Sequence, residues 1–173
     1  DENMNPLSAV IEDGSYSYTR ITHDIAVTSV KPNVDHHYPG RTVDINVTVI
    51  NYGNVSETNF NVTAYNGTAQ IGKILIPSLG PSENTTVVFH WSTTGLQPCH
   101  NYTISAKATI VPGDINATNN ELPDGDVKIT ILGDVNGDET INILDIVKAA
   151  DAIGTSVSNP GWNSLADIYP DNH

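Results

Sequence analysis

The stretch TVDINVTVI, from Thr42 to Ile50, decides how this chain folds. Val43, Ile45, Val47 and Val49 alternate without a break with Thr42, Asp44, Asn46 and Thr48. Successive side chains of a β-strand point to opposite faces, so a strict period of two marks a strand with one face buried and the other wet.

Working outward, the alternation returns in NFNVTAY, where Phe60, Val62 and Ala64 oppose Asn59, Asn61, Thr63 and Tyr65. NYTISAKATI places Tyr102, Ile104, Ala106, Ala108 and Ile110 on one face, and NTTVVFHW groups Val87, Phe89 and Trp91. With DIAVTSV, QIGKILI and DVKITIL these make seven predicted strands, separated by turn clusters such as KPNVDHHYPG, NYGN, SLGPSEN and TTGLQP. Short strands at that spacing, with no helices between them, predict a mainly β fold, a seven-stranded antiparallel β-sandwich.

Composition narrows the function classes. The 173 residues carry a formal charge of -13 with only seven Lys and Arg, so the surface would repel phosphate backbones and anionic lipid, and nucleic-acid binding is not expected. No apolar run approaches the roughly 18 residues that a membrane span needs, and no secretory leader is read in the chain, which is expected to be soluble. The single cysteine, Cys99, has no partner for an internal disulfide.

Asn-X-Ser/Thr sequons occur at Asn46, Asn54, Asn61, Asn66, Asn84, Asn101 and Asn116. Asn46, Asn61 and Asn101 lie inside predicted strands with the parity opposite to the apolar face, and Asn84 has the parity opposite to Val87 and Phe89. Strand geometry therefore points these four to solvent, where a glycan could be carried; the other three fall in turns or at strand ends. Polar strand faces also use Asn and Thr without modification, and that alternative stands beside dense N-glycosylation.

Four stretches carry a family resemblance: DIAVTSV, YPGRTVDINVTVINYGN, IPSLGPSENTTVVFHW and INATNNE. Each piece is generic, but in this order residues 22–132 resemble the CARDB family, an Ig-like sandwich module of prokaryotic surface and secreted proteins. The resemblance implies an Ig-like β-sandwich without a catalytic role and an extracellular or cell-surface location.

Beyond that region, GDVNGDETINILD places oxygen-bearing side chains at regular intervals. Counting from Asp134 as position 1, Asn136 is at 3, Asp138 at 5, Thr140 at 7, Asn142 at 9 and Asp145 at 12, the ligand spacing of a calcium loop. Calcium is a hard ion that takes six to eight oxygens, and this set offers carboxylates, amides and the Thr140 carbonyl. Ile141 at position 8 is expected to anchor the loop in the core. Ile143, Ile146, Val147, Ala150 and Ile153 then follow helical spacing, with Gly154 placed to end the helix.

A predicted strand, not a helix, precedes the loop, so residues 133–173 resemble the first half of a type I dockerin, a loop-helix calcium motif. The family has Gly at position 6, where this chain has Glu139. That residue must accept a left-handed backbone at a cost of about 1 kcal/mol, or the turn must differ. ADIYPDNH looks like the start of a second copy, with Asp167 at position 1, Tyr169 at 3 and Asp171 at 5, an incomplete second loop within the given sequence.

Other constellations offer less. Asp35, His36 and His37 form the most metal-like cluster elsewhere, yet neighbours on a strand face opposite ways and no third ligand is evident, so they read as a solvated turn. His90 and His100 stand near no nucleophile elbow, zinc-protease helix motif or phosphate-binding glycine loop. Cys99 lacks an evident base. Trp91 and the strand tyrosines read as packing residues rather than sugar platforms.

The chain is therefore expected to be a noncatalytic extracellular structural or adhesion protein, N-glycosylated and calcium-stabilised. Its partners would be copies of itself, assembled by strand addition into a layer or filament, or other surface proteins. The competing expectation is an accessory fragment of a larger secreted hydrolase, docking on a cohesin or on its own catalytic domain. Residues 1–21 read as an N-terminal extension able to add a strand, with Leu7, Ala9 and Ile11 on one alternating face and Tyr16 and Tyr18 on another.

Overall fold

The structure, a computed structural model, describes residues 7–12 and 15–167. Two short strands come first, Leu7–Glu12 (β1) and Ser15–Arg20 (β2). Ile25–Pro32 (β3), His36–His37 (β4), Thr42–Asn51 (β5), Glu57–Asn66 (β6), Ala69–Leu79 (β7), Asn84–Ser92 (β8), His100–Ala108 (β9) and Glu121–Ile129 (β10) follow, and then the helix Ile143–Asp151 (α1).

β3, β5 and β8 form one sheet in that order, and the second runs β4-β10-β9-β6-β7. Val43, Ile45, Val47 and Val49 of β5 are fully buried and share one core with Val62, Ile104 and Val127 of the other sheet. Period two thus builds both faces of a mainly β sandwich.

Three features differ from the pattern read in the sequence. β1 and β2 form an antiparallel hairpin of their own instead of one added strand. The two-residue β4 pairs parallel with β10, so the sheets are not purely antiparallel and the strands are not seven. A two-residue strand is too short to display a period. Finally, β9 ends at Ala108, leaving Ile110 beyond the sheet and exposed, whereas the polar-face Thr63 is buried. Thr63 lies in register between Lys73 and Lys107, and long lysine stems cover what they flank.

Both ends of the sandwich are tied down by identifiable groups. At one end, the segment between β2 and β3 is pinned to the loop after β5: Asn54 Nδ2 donates to the Arg20 carbonyl at 2.7 Å, and Thr22 N–H donates to Asn54 Oδ1 at 2.8 Å. His23 Nδ1 meets buried Glu57 at 2.5 Å. Gly53 is required here, because a Cβ would lie 2.5 Å from the Thr22 carbonyl oxygen. At the other end a small second core, Tyr38, Val135 and Leu165, joins the residues after β10 to the sandwich. The Tyr38 hydroxyl donates to the Leu165 carbonyl, and Asn163 Nδ2 donates to the Val135 carbonyl at 3.1 Å.

Candidate metal centre

The loop from Asp134 to Asp145 is organised by its own carboxylates. Asp134 is fully buried. Its Oδ1 accepts the N–H groups of Gly137 at 2.8 Å and Asp138 at 3.0 Å, and its Oδ2 accepts that of Glu139 at 3.0 Å. Asp145, also buried, accepts Val135 N–H at 2.9 Å and Asn136 N–H at 3.2 Å on Oδ1, and Asn142 N–H at 2.7 Å on Oδ2. The Asn142 N–H, foremost, and those of Asn136 and Val135 hold the Asp145 carboxyl below the usual carboxylate range, against the opposing effect of burial.

The same residues start the helix. Asn142 caps α1 by accepting Leu144 N–H at 2.8 Å, and Asp145 returns the bond to Asn142, a capping box. Loop closure and helix initiation therefore share one carboxylate. Asp138 accepts Thr140 N–H on Oδ1 at 2.9 Å and Asn136 Nδ2 on Oδ2 at 2.8 Å.

Glu139 takes the left-handed backbone that position 6 demands, with φ of 70°, and Gly137 has φ of 78°. A non-glycine residue there costs about 1 kcal/mol, and an anchor offsets it. Glu139 pairs with Lys128 of β10 at 3.0 Å, and the same ammonium donates to the Gly137 carbonyl at 3.1 Å.

Ile141 is not a core anchor: it is 59% exposed, and Val135 at position 2 supplies the buried contact instead. α1 likewise does not bury the stripe that its spacing suggests. Ile143 and Ile146 are 67% and 64% exposed, and Val147 and Ile153 are exposed too, because Asp145 and Ala149 face the body of the molecule. The helix stops at Asp151, three residues before Gly154, which has φ of 80°.

The donor set fits a hard, oxygen-preferring cation: three carboxylates, two side-chain amides and the Thr140 carbonyl lie in one loop of the required spacing. The carboxylates are nonetheless turned onto N–H donors, and among the described residues no three His, Cys, Asp or Glu side chains converge as a metal cluster. A cation would compete for Asp138 Oδ2 with Asn136 Nδ2. Asp167 of the second loop lines a cleft with His37, Lys148 and Trp162, none of them a ligand position of the first loop, and Asp171 lies outside the described residues.

The remaining candidates are also placed. Asp35 Oδ1 accepts a hydrogen bond from His36 Nδ1 at 2.8 Å, whereas among the described residues His37 Nδ1 is buried without a hydrogen-bond partner, and burial lowers its basicity. Trp91 is buried and meets Tyr102 edge-on, with centroids 5.9 Å apart. Cys99 is exposed in a loop with φ of 56°. Of the sequon asparagines, Asn54, Asn84, Asn101 and Asn116 are exposed, and Asn46, Asn61 and Asn66 are partly so. Asn54 differs from the rest because its amide holds the segment before β3.

Fold and site together define a β-sandwich module with an oxygen-rich loop at its C-terminal end. The CARDB family model matches residues 22–124, more than half of the chain, and the protein belongs to the CARDB family. No curated protein matches it. Among solved structures it is similar to the CARDB domain of a Pyrococcus furiosus protein in complex with di-metal ions, at 24% identity and a TM-score of 0.53, covering 64% of this chain and 96% of that one. It is also similar to a domain of a putative cell surface protein of Methanosarcina acetivorans, at 24% identity and a TM-score of 0.52, covering 62% and 92%.

Proposed function

We infer that this chain is a noncatalytic structural or adhesion module of an extracellular surface, in which calcium at the loop from Asp134 to Asp145 stabilises the C-terminal end of the sandwich. The observation that carries the reading is the left-handed backbone at Glu139 inside a loop whose carboxylates at positions 1, 5 and 12 already organise its amides. Asp134, Asn136, Asp138, the Thr140 carbonyl, Asn142 and Asp145 would hold the ion. Bound calcium would supply positive charge that neutralises three carboxylates. The loop is joined to β10 through Lys128 and to Tyr38 through the Val135 and Leu165 cluster, so order in the loop would be order in the sandwich.

N-glycans on the outward asparagines and self-association by strand addition complete the reading. The surface location is supported by the family's membership and by the description of the Methanosarcina relative. The exposed apolar stripe of α1 favours a second reading, in which the chain is an accessory part of a secreted hydrolase that docks through its dockerin-like end, on a cohesin or on its own catalytic domain. Native material separates the two. Chains recovered as homopolymers without hydrolytic activity support the first, and chains co-purifying with a catalytic domain in the same polypeptide support the second.

A further inference from the structure

A β-sandwich has open edges, and three of the edges here carry recognised protection against added strands. β3 has a register shift between Val27 and Ser29 and ends in Lys31-Pro32. β7 contains Lys73 and Pro77, and β4, at the far side of its sheet, is only two residues long. Bulges, lysines, prolines and shortness are the devices that keep an edge from recruiting another chain.

β8 has none of them. It runs nine residues in unbroken register with β5, from Asn84↔Ile50 to Ser92↔Thr42, with no Lys, Arg, Asp, Glu or Pro. Its one titratable side chain, His90, is bonded to Asp44 at 2.6 Å. No backbone bond other than those to β5 is made by Asn84–Ser92 among the described residues. The core is also open on this side: Val87 of β8 and Ile71 and Ile74 of β7 pack on it only partly buried.

The molecule carries a strand to match. Among the described residues β1 pairs with β2 and with no other strand, and a two-stranded hairpin is marginally stable in water without a further partner. Register sets Ala9 opposite Tyr18 and Ile11 opposite Tyr16, so these positions share one face of the ribbon. Among the described residues no strand pairing joins the hairpin to β8 of its own chain. The pinned segment Arg20–Asp24 enters the sheet at β3, and β8 lies across β5 on the opposite edge.

We propose that the outer edge of β8 is the acceptor for β1 of a second copy of this chain, so that the donated hairpin extends the β3-β5-β8 sheet and its apolar positions cover Val87, Ile71 and Ile74. This rests on the strand-addition reading above and names its receiving surface. The contact is heterologous, with hairpin on one copy and edge on the next, and it propagates head to tail unless it closes into a ring. Asn84, a sequon, sits at the first residue of β8, leaving Thr86–Trp91 as a span that matches the six residues of β1.

The test uses the full chain, with calcium, in two measurements. In sedimentation velocity the parent associates as concentration rises. Val87→Lys, which aims a charge into the open side, and Ile11→Lys, which spoils the donor face, each weaken association about tenfold or more. Mixed in equal amounts the two variants form a dimer and nothing larger, because one intact edge and one intact hairpin remain. Amide hydrogen exchange of the unsubstituted parent supplies the second measurement and does not depend on either variant folding. Thr86–Trp91 gains protection with association. Protection gained at β3 or β7 in place of β8 overturns the edge assignment and leaves strand addition standing. A parent that stays monomeric at about 1 mM overturns both.

Discussion

Replacing Asp134 with asparagine separates what the loop does unaided from what a cation adds. The carboxylate accepts three backbone N–H groups, two on Oδ1 and one on Oδ2. Asparagine keeps one carbonyl oxygen for Gly137 and Asp138 and turns its NH₂ group against the Glu139 N–H. One partly buried donor left unsatisfied costs about 1–3 kcal/mol. For a chain of this size that corresponds to a fall in Tm of roughly 2–12 °C, measured in EDTA.

Calcium then adds a second increment. At a concentration of about 100 times Kd, a ligand that binds only the folded state stabilises it by about 2.7 kcal/mol, or roughly 5–11 °C. With extracellular calcium modules at Kd of about 0.1–1 mM, a scan with calcium at about 10 mM approaches that range. Differential scanning calorimetry of parent and Asp134→Asn, each with EDTA and with calcium, gives four melting temperatures. The parent should show both increments and the variant should have lost most of the calcium-dependent one. A variant that keeps the parent's full calcium increment would refute the role given to Asp134 at position 1.

Three further outcomes follow from named contacts. Because the folded pKa of Asp145 is depressed, its contribution is present above the unfolded value near 4 and is lost as pH falls through the folded pKa; Asp145→Asn should therefore flatten part of the acid limb of the melting profile, and identical acid limbs would contradict this. Tyr38→Phe removes the hydroxyl from the Leu165 carbonyl and should cost about 0.5–2 kcal/mol, with faster amide exchange confined to residues 163–166 and the loop; exchange that quickens evenly across the sandwich would count against a local tie. Glycopeptide mass spectrometry of native material should find glycans at Asn46, Asn61, Asn84, Asn101 and Asn116, with Asn54 less occupied because its Nδ2 is bonded to Arg20; bare peptides at the first five sites would remove the glycoprotein reading.

The sandwich was legible because its strongest signal, four apolar residues at period two in β5, is also its physical centre. The hairpin was half legible. Asp13-Gly14 between two strand-like stretches is the dipeptide that tight hairpins favour, although alternation alone does not say that the stretches on either side pair with each other. Tyr38 sits in a turn cluster, where periodicity has nothing to say, and only the fold reveals that it joins Val135 and Leu165. Ile141 and the helix stripe teach a different lesson: spacing tells which residues share a face, not whether that face is covered. Position 6 was legible as a conflict between Glu139 and a left-handed backbone, but Lys128 as the anchor was not, since the two are brought together only by the path of β10 into the loop.

Whether a cation binds the loop from Asp134 to Asp145 is measured by isothermal titration of calcium into the metal-stripped full chain. Saturable binding that is lost in an Asp134→Ala, Asp138→Ala double variant is the predicted result, with the sandwich still folded by far-ultraviolet circular dichroism. No saturable binding by the parent, or binding that survives the double substitution, would contradict a calcium site at this loop.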